Sequence, residues 1–139
     1  MQVREIMTRD VDWVAPDTTV QDAARRMRDE NIGALPVGEN DKLIGMVTDR
    51  DIVVRLLPEG RDISSATVKD AMSDKLLYCF DDQNIEEVAD NMGEHHVRRL
   101  PVVNREKRLV GMISLGDIAR SGAEQPAGHA LGEAAQPRV

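Results

Sequence analysis

Aromatic residues are almost missing from this 139-residue chain, in which Trp13, Tyr78 and Phe80 are the only rings. A chain of this length buries roughly 68% of its unfolded surface, so a core must form, and it must be aliphatic, filled by Val, Ile, Leu, Met and Ala. Cysteine is nearly absent too. The single Cys79 makes neither an intrachain disulfide nor a thiolate metal site, and nothing calls for an oxidising compartment. Long apolar runs are lacking: no segment approaches the ~18 residues of a membrane span, and residues 1–10 hold no stretch of signal-peptide type. Positive charge is short, with 18 Lys and Arg against 25 Asp and Glu, a net charge of −7. That balance opposes a general nucleic-acid binder, whose phosphate contacts need a basic field. Any bound anion must be met locally. The expectation is a soluble cytoplasmic protein of one domain or two small intimate ones, with neither membrane nor nucleic acid as a partner.

What the chain does contain is itself, twice. Val3-Arg4-Glu5-Ile6-Met7-Thr8 returns as Val68-Lys69-Asp70-Ala71-Met72-Ser73, 65 positions on. Leu35-Pro36-Val37 returns as Leu100-Pro101-Val102 at the same offset. Leu43-Ile44-Gly45-Met46-Val47-Thr48 returns as Leu109-Val110-Gly111-Met112-Ile113-Ser114 at 66, which implies one inserted residue in the turn before Leu109. On this register 14 of 50 pairs are identical, several times the chance level, and a repeat sets the architecture before any single motif does.

Each copy predicts the same elements. A helical lead (Val3 to Met7; Val68 to Met72) precedes a brief extended segment (Val11 to Val14; Leu76 to Cys79). An amphipathic helix follows, apolar at Val20, Ala23, Ala24 and Met27 and again at Ile85, Val88, Ala89 and Met92, the i, i+3, i+4, i+7 spacing of one buried stripe. Thr19 with Asp22, and Asn84 with Glu87, supply start signals of the capping-box kind. Two short strands joined by a polar turn come next, around Gly38 to Lys42 and Asn104 to Arg108, and a last helix opens near Asp49 or Leu115. Repeats of ~55 to 60 residues bury too little alone, so the copies are expected to pack together with pseudo-two-fold symmetry. The expected organisation is residues 1–57 as the first repeat, 58–66 as linker, 67–121 as the second repeat and 122–139 as a disordered tail rich in Ala, Gly, Pro and Gln.

The doubled pattern (Val/Ile)-x-x-x-Met-(Thr/Ser), an amphipathic helix, Leu-Pro-Val and Gly-Met-(Val/Ile)-(Thr/Ser)-x-x-Asp-Ile resembles the tandem CBS-domain pair, named after cystathionine beta-synthase, over about residues 1–121. Stretches such as Asn31-Ile32-Gly33-Ala34-Leu35-Pro36 and Thr48-Asp49-Arg50-Asp51-Ile52-Val53 resemble small stand-alone bacterial members. The resemblance implies an α/β (α+β) fold of two pseudo-symmetric repeats, each a small three-stranded sheet with two main helices, packed sheet to sheet as one module. It implies a non-catalytic regulatory module that binds an adenosyl ligand (AMP, ADP, ATP, S-adenosylmethionine or NAD) in the cleft between repeats, requires no cofactor, forms a homodimer and acts on a regulated protein partner.

The residues that carry this reading are Thr48 and Asp51 in the first copy, and Ser114 and Asp117 in the second. A hydroxyl at a helix start can donate to a phosphate or ribose oxygen, and a carboxylate three residues on can accept from two vicinal ribose hydroxyls. The same spacing is also a helix-capping box, in which both groups only satisfy backbone N–H groups. Spacing alone favours the cap; recurrence at the equivalent place in both copies, with the resemblance, moves the balance to a ligand. By the same analogy Arg99, with Arg98, serves the phosphates of a nucleotide held by Thr48 and Asp51, whereas the Ser114 and Asp117 site faces Gly33 and Ala34 and lacks that cation. The plainer alternative pairs these arginines with Glu94 or Glu106. Met46 and Met112 are candidate floors for the base, with Tyr78 and Leu77 closing one pocket and Trp13 and Val11 the other, or all of them are plain core. His95 and His96 lack further ligands that would complete a metal shell. No nucleophile with base and acid and no phosphate-cradling glycine loop is present, so no enzyme is expected. A ligand-free structural or interaction module acting through dimerisation is the competing function.

Overall fold

The computed structural model describes residues 1–73, 75–122 and 124–134. Helix α1 (Val20–Glu30) starts where Thr19 Oγ1 accepts from Asp22 N at 3.1 Å, and buries Val20, Ala23 and Met27. Strands β1 (Ala34–Glu39) and β2 (Lys42–Thr48) then pair antiparallel. Asn40 and Asp41 turn between them with φ of 53° and 61°, the left-handed pair that a two-residue hairpin requires. Helix α2 (Asp49–Asp51) continues into a π-helical turn at Ile52–Leu56, and the short helix α3 (Val68–Ala71) opens the second copy. In that copy, strand β3 (Cys79–Phe80) leads to helix α4 (Ile85–Glu94). There Asn84 Oδ1 caps Glu86 N at 2.9 Å, while Glu87 accepts from the Gln83 side chain instead of closing a box. The antiparallel strands β4 (Arg99–Val103) and β5 (Leu109–Ser114) and helix α5 (Leu115–Arg120) complete the repeat. Both hairpins slip register at the same place, between Val37 and Gly38 and between Val102 and Val103, so the inserted residue of the second copy lies in its turn.

Among the described residues the three-stranded sheet exists in full only in the second copy, where β3 runs parallel to β4. In the first, the corresponding strand is a single parallel bridge from Val14 to Val37, with Val14 N donating to Pro36 O and Gly38 N to Val14 O. The reason is one residue. Asp81 N donates to Val103 O at 3.0 Å in the second copy, and the equivalent position in the first is Pro16, which has no N–H to continue the ladder.

The chain divides into two compact units that do not coincide with its repeats. Asp12–Leu76 forms one unit; Met1–Val11 and the described residues from Leu77 on form the other. Each lead thus belongs with the sheet of the other copy. Val68 and Ala71 lie in one core with Val14, Val20, Leu35, Val37 and Val47, and Val3 and Met7 lie in the other with Val88, Met92, Leu100 and Ile113. The glycine of Gly-Met-(Val/Ile)-(Thr/Ser) makes room for the incoming lead. A Cβ at Gly45 would stand 2.8 Å from both Met72 Cε and Ser73 O; at Gly111 it would stand 2.6 Å from Thr8 O. Across those contacts Thr8 N donates to Met112 O at 2.8 Å and Ser73 N to Met46 O at 3.2 Å. Both cores are aliphatic, and among the described residues no polar or charged side chain is buried. The stretch following α2 is pinned down as well, with Val20 N donating to Ala66 O at 2.9 Å and Gln21 N to Ile63 O at 3.2 Å.

The expected disordered tail is corrected over residues 124–134, which form helix α6 (Glu124–Ala134). Alanine is the best helix former, and its small side chain permits close packing, so Ala127 and Ala130 are buried in the core of the second unit. Gly93 on α4 receives it: a Cβ there would lie 3.2 Å from Ala130 Cα. His96 ties the end of the helix, its Nδ1 lying 2.7 Å from Glu133 O. The remainder of that expectation, at residues 123 and 135–139, lies outside the described residues.

Candidate functional site

Thr48 ends β2 and Ser114 ends β5, so each hydroxyl stands where an extended strand turns into a helix. The following helix leaves backbone N–H groups without partners, and the residue three positions on supplies one. Thr48 N donates to Asp51 Oδ2 at 3.0 Å while Asp51 N donates to Thr48 Oγ1 at 3.0 Å. Ser114 N donates to Asp117 Oδ2 at 2.9 Å and Asp117 N to Ser114 Oγ at 3.1 Å. Both motifs are closed capping boxes. A carboxylate offers about four lone pairs and a hydroxyl keeps its own proton, so capping uses one oxygen of each aspartate and leaves the other, together with the hydroxyl hydrogen, for a further partner. Both carboxylates are turned mostly inward, with 18% of the Asp51 side chain and 14% of the Asp117 side chain exposed.

The second oxygens differ. Among the described residues Asp51 Oδ1 has only a loose ion pair, with Arg55 Nε at 3.7 Å, and Arg55 Nη1 also donates to Met72 O at 3.3 Å. Asp117 Oδ1 accepts a short hydrogen bond of 2.5 Å from Arg120 Nη2. Neither arginine stands out in the sequence as a site residue. The available signal is their spacing, four and three residues after an aspartate on a helix, where side chains meet.

The other candidate residues fall as follows. Arg98 and Arg99 are exposed, and among the described residues their side chains have no ion-pair partner, neither Glu94 nor Glu106. Arg99 stands directly across the ladder from Ser114, and Arg98 O accepts from Leu115 N at 2.9 Å, so both belong structurally to the Ser114 end of their own sheet. Ala34 holds the matching place opposite Thr48, and Asp49 N donates to Gly33 O at 3.0 Å. Met46 and Met112 are half-buried at the strand positions that bridge to Ser73 and Thr8. The Trp13 ring lies against Gly38, where a Cβ would stand 2.2 Å from ring carbon Cε3. Tyr78 meets Phe80 edge to face at 5.6 Å, and Arg105 lies 4.1 Å over the Phe80 ring while its Nε and Nη2 grip Asp82 at 2.8 and 2.7 Å. That grip holds the Asp82 carboxyl below its ordinary value. Burial, with the Asp81 charge adding to it, pushes the Cys79 thiol up to about 12. Among the described residues no three His, Cys, Asp or Glu side chains gather as a metal site; His129 Nε2 instead pairs with Glu133 Oε1 at 2.7 Å.

Comparison with known proteins agrees with this geometry. The CBS domain family matches twice, at residues 3–58 and 68–124. The CBS domain-containing protein YhcV of Bacillus subtilis is 40% identical over 130 residues, covering 93% of this chain and 91% of that protein. The crystal structure of Hypoxic Response Protein I, solved with two coordinated zinc ions, superposes with a TM-score of 0.79 at 41% identity, over 86% of this chain and 98% of that one. The structure of CBSX2 in complex with AMP superposes with a TM-score of 0.76 at 31% identity, over 88% and 96%. With two matches to one family, a strand-to-helix motif repeated in both copies and relatives of the same length, this chain belongs to the CBS-domain family and is a tandem pair of such domains.

Proposed function

We propose that this CBS pair is a ligand-sensing module that binds an adenosyl compound, of the AMP, ADP, ATP, S-adenosylmethionine or NAD type, through the hydroxyl and carboxylate at the strand-to-helix turn. Thr48 and Asp51 form the principal site and Ser114 and Asp117 the secondary one. One observation carries the reading: each aspartate spends one oxygen on its own helix, and while Arg120 takes the second at Asp117, the second at Asp51 is held among the described residues only at 3.7 Å and is left for an outside donor. A ribose offers two vicinal hydroxyls suited to it. Arg98 and Arg99, exposed and unpaired among the described residues, are available to phosphate oxygens. Met46 and Met112, two residues before each hydroxyl, offer a soft apolar contact to a base. The CBSX2 relative bound to AMP supports the ligand class. A ligand that prefers one arrangement of the chain shifts the population towards it, and a partner protein reads the change. The exposed Val53, Val54 and Leu57 suit a homodimer contact.

The test is thermal stabilisation by AMP, ADP, ATP, S-adenosylmethionine and NAD at millimolar concentration. A ligand at 100 times its Kd adds about 2.7 kcal/mol. A shift that Asp51→Ala removes is the expected result; no shift with any of the five overturns the proposal. A second reading, a ligand-free interaction module, is favoured by the closed capping boxes: on it Asp51→Ala costs only the ~1 kcal/mol of a lost cap and nucleotides have no effect.

A further inference from the structure

The two half-sites carry the same motif but differ in what lies over it. In the second copy Arg120 folds back along α5. Its Nη2 donates to Asp117 Oδ1 at 2.5 Å, and its Nη1 lies 3.1 Å from where a Cβ on Gly116 would stand, a point itself 3.5 Å from Ser114 Oγ. The guanidinium therefore occupies the one carboxylate oxygen that the capping box leaves over, beside the Ser114 end of the helix. Glycine at 116 leaves it room, since a side chain there would crowd the guanidinium and make it shift by a few tenths of an ångström. The first copy has the opposite arrangement. Arg50 stands at the position of Gly116 and Val54 at that of Arg120, so no arginine holds the equivalent place, and among the described residues Asp51 Oδ1 has only the 3.7 Å pair with Arg55.

Resting on the ribose reading above, we propose that Arg120 is a built-in plug, that Gly116 seats it, and that this pair of residues closes the Ser114 and Asp117 half-site so that the chain presents one open site, at Thr48 and Asp51. Side-chain occupancy, rather than loss of the binding motif, makes the two copies unequal. The plug is also removable. The Arg120 side chain is 73% exposed, so its hold on Asp117 competes with water and a ligand of higher affinity can displace it.

Isothermal titration of the full chain with AMP, and in parallel with S-adenosylmethionine, tests this. The unaltered protein is expected to bind one molecule per chain, and Asp51→Ala to abolish that binding. Adding Arg120→Val, the residue of the first copy, to Asp51→Ala restores binding at the second half-site, with affinity about tenfold or more above the weakest the titration detects. Arg120→Gln in the same background restores it to a lesser degree. The reciprocal exchange, Arg50→Gly with Val54→Arg, weakens the first site by about tenfold. Far-UV circular dichroism melting verifies that each variant is folded. Two sites already open in the unaltered protein, or no recovery on adding Arg120→Val to Asp51→Ala, overturns the plug while the ribose reading stands. Weaker binding on losing Arg120 makes it a ligand contact and overturns the plug likewise. Silence of the unaltered protein and of every variant towards both compounds overturns the plug and the ribose reading together.

Discussion

Single atoms decide several features of this protein. Gly38 lies under the Trp13 ring with no space for a methyl group, a Cβ at 2.2 Å from a ring carbon, so Gly38→Ala must displace the indole or the strand. The expected cost is about 1–3 kcal/mol, read as a lowered urea midpoint. Cys79 is a second case. It is buried against an aliphatic core, and burial holds its proton up to about 12 from an ordinary value near 9.0. Between those values the folded chain binds more protons than the unfolded one, so this contribution to stability is complete below about 9 and is lost as the pH rises through the window. Urea midpoints measured from pH 8 to 11 should fall, and Cys79→Ala should flatten that fall. The thiolate is the reactive form, so iodoacetamide at pH 8 should label Cys79 only when urea has unfolded the chain. At the acid end the sign reverses. The Arg105 grip lowers the Asp82 carboxyl, so what it contributes is present above the ordinary carboxylate range and is lost as the pH falls through the lowered value.

Elements depend on what each neighbour leaves room for. Helix α6 was illegible because its residues 124–134 read by composition as tail, with Pro126, Gly128 and Gly132 interrupting any apolar stripe. Its stability comes from docking small faces together, Ala127 and Ala130 on α4 and α5, and helix pairing of this kind is a tertiary gain that no local propensity announces. Ala130→Asp would bury a carboxylate without a partner, and the expected loss is about 3 kcal/mol by urea unfolding. The third strand of the first copy was legible in principle, since Pro16 already forbids the donor that Asp81 supplies, but only the repeat alignment shows that the two positions correspond. The amphipathic helices α1 and α4 needed no such help. Their spacing alone places Val20, Ala23 and Met27, and Ile85, Val88, Ala89 and Met92, on buried faces.

At the scale of the whole molecule, the exchange of leads matters most. Each compact unit closes its core with a segment from the opposite repeat, so a cut at the repeat boundary removes Val68, Ala71 and Met72 from the first sheet and leaves Gly45 uncovered. A fragment of residues 1–66 is expected to show no cooperative urea transition by circular dichroism, whereas a fragment of residues 12–76, which holds a whole unit, is expected to show one. Equal behaviour of the two fragments would count against the exchanged leads. A domain of this size is marginal even when its core is complete, which makes the loss of the buried Val68 and Ala71 and of the Met72 cover decisive.

The amino-acid sequence by itself determined the duplication, the element order within each copy, the aliphatic cores and the placement of Thr48, Asp51, Ser114 and Asp117 at equivalent helix starts, because periodicity, capping chemistry and repeats are local properties of a chain. Tertiary structure alone decided which lead completes which sheet, that α6 docks, and that Arg120 closes on Asp117 while Arg55 stays back from Asp51. Those outcomes turn on distances between side chains, on a glycine that leaves a gap and a residue that fills it, and such distances exist only after the backbone has folded.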